Sequence, residues 1–235
     1  MKRLLLLPLL AATLAAPAAA DQFLLGFTGF DYDVPSPVST HYLDVGDSWY
    51  SLGYVTSVDP GLLGSYVDFG VNEYTYYMFN LVVDVTFVFG TFLEADFSNA
   101  TGARTRYYED PIAGGTHGVF GINPPNGTAP STFTNGVVAL GGTTYNFVIT
   151  YDSGLGQGDF SGNMDLDEGT DLGYIPVSQR PGWIIGSLSG QHSLSGPPNP
   201  NIPQGYDHQV QGECRRPVAT PSTHRTWGAI KALYR

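Results

Sequence analysis

From Glu73 to Phe89 the odd positions Tyr77, Phe79, Leu81, Val83, Val85, Phe87 and Phe89 are all apolar, while the even ones include Tyr74, Tyr76, Asn80, Asp84 and Thr86. A period of two belongs to a strand with one face on a core and the other towards water. Wound as a helix, the same residues would scatter apolar groups around every side. The stretch outruns an ordinary strand, which predicts a bulge or bend near Asn80, or a strand passing between two sheets.

Shorter segments of the same kind follow one another: Gln22 to Phe27, Ser48 to Val58, Thr91 to Phe97, Arg104 to Glu109, Phe133 to Leu140, Thr143 to Tyr151, Asp159 to Asp167, Trp183 to Leu188 and Tyr206 to Glu213. Gly141-Gly142 reads as a hairpin turn, and Asp152 to Gly158 closes the next hairpin. Pro-rich stretches at Pro35-Pro37, Pro124-Pro130 and Pro197-Pro203 are unsuited to central strands. Charged residues make up 13% of the chain, about half the usual share, so long solvated helices are disfavoured. Some ten short strands predict an all-β chain, an antiparallel two-layer β-sandwich of jelly-roll or Greek-key type, with a closed barrel as second choice.

Lys2 and Arg3, the apolar run Leu4 to Ala15 and the small residues Ala18-Ala19-Ala20 read as a signal peptide over 1–20. The expected organisation is then a domain over 21–214 and a linker with a basic tail over 215–235. No later stretch is long and apolar enough for a transmembrane span in the mature chain. All 21 acids lie between Asp21 and Glu213, where Arg104, Arg106 and Arg180 are the only bases, so this body carries −18. Arg215, Arg216, Arg225, Lys231 and Arg235 follow with no acid among them. A body this acidic repels phosphate backbones and predicts no nucleic-acid partner. Cys214 is the sole cysteine, so stability rests on the core without an internal disulfide; the thiol is expected to be inert and partly buried.

The acids Asp159, Asp165, Asp167, Glu168 and Asp171 offer oxygen ligands at the spacing Ca²⁺ uses. The EF-hand pattern fails, because Glu168 and Tyr174 stand where it needs Gly and Glu. Alternation gives a simpler account, with Phe160, Gly162, Met164 and Leu166 inward and the acids in water. The candidate Ca²⁺ ligands are Asp165, Asp167 and Asp171; no other cofactor is expected. The five histidines, His41, His117, His192, His208 and His224, show no local metal spacing. Leu188 replaces the serine of a nucleophile elbow in Gly186-Ser187-Leu188-Ser189-Gly190. Glu94 and Asp96 share a strand face, the kind of carboxyl pair a glycoside hydrolase brings together across a cleft. Trp49, Tyr50, Tyr54, Tyr74 and Tyr76 are candidate ligand-binding residues, since a sugar ring stacks its C–H face on exposed aromatics; the same residue types also build cores.

The tail Thr226-Trp227-Gly228-Ala229-Ile230-Lys231-Ala232-Leu233-Tyr234-Arg235 resembles a C-terminal signature of exported bacterial proteins. The stretches from Asn123 to Thr134 and from Ile202 to Gln209 are similar to secreted bacterial β proteins that carry that tail. The resemblance implies Gram-negative-type export, with the tail a sorting or anchoring tag, and carries no activity with it. The expectation is a secreted protein of the cell surface, periplasm or extracellular space, non-catalytic, structural or adhesive, with a surface glycan or another envelope protein as partner. The alternative is a polysaccharide-acting hydrolase using paired carboxylates.

Overall fold

A computed structural model describes residues 21–34, 43–97, 101–120, 131–187, 190–191, 202–203 and 205–217. Residues 1–20, His41, His192, His224 and residues 218–235 lie outside the described residues. Phe23–Arg216 forms one cohesive unit. Its strands are β1 Gln22–Val34, β2 Ser48–Val58, β3 Asn72–Val82, β4 Val85–Phe89, β5 Phe92–Asp96, β6 Arg104–Pro111, β7 Val137–Asp152, β8 Gln157–Glu168, β9 Trp183–Ser187, β10 Gly190–Gln191 and β11 His208–Arg216. Two 3-10 turns, Thr170–Tyr174 and Val177–Gln179, are the only helical pieces among the described residues.

The neighbours run β1, β2, β3, β6, β7; β7 then pairs through its other edge with β8, followed by β9 and β11, and β11 lies beside β1. The result is a closed eight-stranded antiparallel barrel with β4 and β5 as two extra strands. This corrects the two-layer sandwich expected from the sequence. Both architectures demand the same alternation, because an inward face must be apolar whether it meets a second sheet or the far wall of its own. What closes the sheet is coiling. The 16-residue β7 meets β6 over Val137 to Thr143 and β5 over Val148 to Asp152, while β8 follows its opposite edge. A strand holding partners along that length twists continuously, and the accumulated twist brings β11 round to β1.

Gly141 and Gly142 do not form the expected hairpin turn. They lie within β7, where the register to β8 slips by a residue. A side chain on Gly142 would sit 2.3 Å from the Asp165 carbonyl oxygen, so glycine here permits a bend with close contact, and the chain continues as strand.

The bend expected near Asn80 is present, with Asn80 at φ 59° and a register shift between Trp49 and Ser51 on the facing β2. Its consequence differs from a uniform odd-position core. Before the bulge the even residues Tyr74, Tyr76 and Met78 are buried; after it Leu81 and Val83 are, and Val85, Phe87 and Phe89 of β4 are exposed. One extra residue reverses which parity faces inward.

Eight strands enclose a space that side chains can fill. Here Trp49, Phe147 and Phe160 pack with ring centroids 5.2 to 5.4 Å apart. Phe27, Tyr76, Met78, Met164, Trp183, Ile185 and Cys214 complete the buried core. Burial pushes the Cys214 thiol well above its usual range, which leaves it protonated and inert. A second apolar cluster lies apart from this interior: Tyr32, Leu52, Phe133 and Tyr206 are buried with Phe30, Tyr50, Tyr54, Tyr77 and Phe120 against them. The outward positions of β8 are Asp159, Ser161, Asn163, Asp165 and Asp167, none of them buried. No helix of the described residues is long and apolar enough to cross a membrane.

Candidate functional site

Two polar constellations stand out. The first gathers where the end of β1 meets the start of β11. Asp31 accepts the Trp49 indole N–H at 3.0 Å and the His208 main-chain N–H at 2.7 Å, and its carboxylate lies 3.0 Å from His208 Nδ1. Asp33, two residues on and so on the same face of β1, donates its main-chain N–H to Asp207 Oδ2 at 3.2 Å. Burial, the hydrogen bond to Asp207 and the nearby carboxylates raise Asp33 to about 9. Asp207 is raised too, chiefly by burial. Around His208 burial opposes the charged form, but the Asp31 carboxylate outweighs it and the pKa rises.

The adjoining cavity, lined by Asp31, Trp49, Tyr151, Asp159, Phe160 and His208 among others, measures about 30 Å³, room for one or two waters. Glycoside hydrolysis needs carboxyls roughly 5 to 10 Å apart with a sugar between them. Asp33 and Asp207 share a hydrogen bond, and no sugar ring enters a space of that size. This cluster therefore joins β1, β2 and β11 through buried hydrogen bonds.

A pH dependence follows from these shifts. Asp33 binds a proton in the folded chain that it has lost in the unfolded one between about pH 4 and 9. His208 adds to this above its ordinary value. A raised folded pKa stabilises below the unfolded value, and that stabilisation is lost as pH rises through the folded one. Melting temperature is expected to fall steadily as pH rises from 5 to 9. Asp33→Asn, which mimics the neutral acid, should flatten most of that slope in a series of thermal melts. An unchanged slope in the variant would show that Asp33 is ionised in the fold.

The second constellation is a cleft of about 300 Å³ lined by Tyr54, Val55, Phe69, Asn72, Glu73, Tyr74, Ile112 and His117. β2 and β3 supply most of it: Tyr54 pairs with Thr75 and shares its outward face with Glu73, while Tyr74 turns to the opposite face of β3. Glu73 Oε1 accepts the Gly118 N–H at 2.7 Å, and its Oε2 faces His117 Nδ1 at 3.5 Å. Tyr54 donates to the Gly118 carbonyl at 2.6 Å, so Gly118 is held from both sides. Tyr74 and Asn72 both donate to Glu109 Oε1. Burial raises the Tyr54 and Tyr74 hydroxyls above their usual range. Aromatic walls and unlike polar groups thus converge on an open space.

Of the five aromatics singled out in the sequence, Tyr54 and Tyr74 border this cleft, Tyr74 as a buried member of the core. Trp49 and Tyr76 are in the core, Tyr76 bonded to Ser51 Oγ at 3.0 Å. Tyr50 stands in a ladder of parallel rings, 5.0 Å from Tyr32 and 6.0 Å from Tyr77. Rings stacked on each other offer edges outward, so the five form no flat sugar platform. The candidate Ca²⁺ ligands are held separately. Asp165 accepts from Gly182 N–H and Tyr145 OH, Asp167 pairs with Arg104, and Asp171 neighbours Thr170 and Glu109. Among the described residues no three acidic, His or Cys side chains group as metal ligands would. Glu94 and Asp96 lie on the outward face of β5, the face opposite the buried Leu93 and Ala95.

Sequence reasoning missed Glu73, His117, Asp31, Asp33, Asp207 and His208 as grouped residues. Asp31 and His208 are far apart in the chain, and only barrel closure joins them. Compared with known protein families, with curated proteins and with solved structures, the chain matches none.

Proposed function

We propose that this chain is a non-catalytic protein of the cell exterior, structural or adhesive, that holds the end of a surface glycan in the cleft of Tyr54, Glu73, Tyr74 and His117. Its export rests on the leader-like 1–20 and on the resemblance of the tail to that of secreted bacterial β proteins. The observation that carries the binding reading is the pairing of aromatic walls with Glu73, Asn72 and His117 around about 300 Å³, the lower end of ordinary ligand pockets. Sugar hydroxyls exchange donors and acceptors with a carboxylate, an amide and an imidazole, and the C–H face of the ring rests on tyrosine. The filled interior supports action at the surface, since it leaves space for little more than water.

The test is a glycan array of the purified protein, with and without Ca²⁺, followed by titration of the hits against Glu73→Gln and His117→Ala. The amide oxygen introduced by Glu73→Gln still accepts the Gly118 N–H, and His117 is an exposed side chain, so both variants should melt within about 2 °C of the parent. Loss of a hydrogen bond to a charged group is expected to weaken binding about 10- to 100-fold for Glu73→Gln. An array without hits, or hits indifferent to both substitutions, would remove this reading.

A further inference from the structure

We infer that the cleft of Tyr54, Glu73 and His117 takes a positively charged sugar, a glycan end with a free amino group, whose ammonium lies between the carboxylates of Glu73 and Asp110. This rests on the reading of the cleft as a glycan site and goes beyond it in naming the charge of the ligand.

The cleft opens where two strands part. The ladder between β2 and β3 ends at Tyr54 and Thr75, yet β2 runs on beside β1 as far as Val58 and β3 begins earlier, at Asn72, beside β6. Beyond that fork, β3 and β6 set Glu73 directly opposite Asp110, and Tyr74 opposite Glu109. Opposed residues bring their side chains within about 5 Å on one sheet face, and like charges there repel. An arginine or lysine would relieve such a pair. The five described arginines are engaged elsewhere: Arg104 and Arg106 with Asp167 and Glu168, Arg180 with the Leu172 and Ile175 carbonyls, Arg215 with Glu213 and Arg216 with the Ser178 carbonyl. Asp110 accepts an amide hydrogen from Asn135 at 3.1 Å. Glu73 holds the Gly118 N–H, and its Oε2 faces the His117 ring at 3.5 Å, looser than a charged hydrogen bond. His117 is 54% exposed, so an incoming ammonium can take its place at that oxygen.

The rest of the cleft suits an organic cation. A metal ion wants more oxygens than two carboxylates supply, and the described residues hold no group arranged as metal ligands. An ammonium needs a few acceptors and an apolar surround. Phe69 and Ile112, 44% and 40% exposed, line the same cleft, and Phe69 packs edge-on against Tyr74 with ring centroids 5.3 Å apart. Aromatic faces attract a cation that arrives with its own C–H groups. A uronate, sulfate or phosphate would instead meet Glu73, Asp110 and Glu109 with no described arginine in the lining. The same charges that select an amino sugar therefore turn acidic glycans away.

Calorimetric titration at about pH 6, where a sugar amine holds its proton, compares three β-1,4-linked tetrasaccharides that differ at one carbon of each ring: glucosamine, N-acetylglucosamine and glucose. The glucosamine tetramer is expected to bind about 10-fold more tightly than the other two, and 0.5 M NaCl should shrink that advantage about threefold. Glu73→Gln and Asp110→Asn keep an oxygen for Gly118 and for Asn135, and each should cut the advantage about threefold or more with the melt preserved. Equal binding of all three tetramers, weakened by Glu73→Gln, would overturn the charge assignment and leave the glycan cleft standing. So would an amine advantage untouched by both substitutions. Binding of none would overturn both readings. Spermidine bound as tightly as the glucosamine tetramer would place an ammonium in the cleft without a sugar, which also overturns both.

Discussion

Trp49→Ala is expected to destabilise the protein by about 4 kcal/mol, a drop of roughly 12 °C in melting temperature. Two losses combine. The indole fills the centre of the barrel, 5.2 Å from the Phe147 ring and 5.4 Å from Phe160, and those neighbours are fixed on strands and cannot collapse into the void. Its N–H also satisfies Asp31 Oδ2 at 3.0 Å, so truncation deprives a buried carboxylate of a donor. Trp49→Phe separates the two terms, because it keeps most of the packing and removes the bond; about 2 kcal/mol is expected. Urea unfolding of both variants measures the difference. A cost under 1 kcal/mol for Trp49→Ala would mean that the indole is not part of the core. The prediction also bears on how binding should be tested, since any glycan lost by Trp49→Ala would be lost through unfolding. His117 and Glu73 are the informative positions.

Alternation showed in the sequence that the chain is all-β, and it located most strands to within a few residues. Ser48–Val58 coincides with β2, and the turn after Asp152 joins β7 to β8. It did not show closure. The pairing of β11 with β1 links residues some 180 positions apart, and no local pattern records it. Parity was misread for a related reason. Tyr77 and Phe79 are apolar yet lie outside the inner core, Tyr77 with the second aromatic cluster and Phe79 stacked on it 5.1 Å away under the Arg106 guanidinium. A strand apolar on both faces gives no sign of which face is inward. The bulge at Asn80 then exchanged the two faces midway. The candidate site was legible only in part, because Tyr54 and Tyr74 were marked by residue type. Glu73 and His117 gave no such signal, as single acids and histidines in an acidic β chain are ordinary surface residues until the fold sets them side by side.

Gly53→Ala is expected to cost about 3 kcal/mol, near the upper end for an overpacked site. Gly53 faces Gly29 across the β1–β2 ladder. A Cβ on Gly53 would lie 2.1 Å from the Thr28 carbonyl oxygen and 2.5 Å from the Gly29 Cα, and one on Gly29 would lie 2.0 Å from the Leu52 oxygen. All of these are main-chain atoms, so no side chain can rotate away and the strands themselves must separate. Gly173→Ala is the matched control, since nothing lies within 4 Å of its added carbon, and it should stay within about 0.5 kcal/mol of the parent. The close approach has a purpose in the geometry. Further along the same ladder, β1 and β2 present Asp31 and Trp49 to one another inside, and their outward neighbours Tyr32 and Tyr50 stack at 5.0 Å. Forcing the strands apart at Gly53 should therefore loosen the acid–histidine end as well. Gly53→Ala is then expected to weaken the pH dependence of melting along with lowering the melting temperature. A variant that melts lower while keeping the full pH slope would show that the two ends of the ladder are independent.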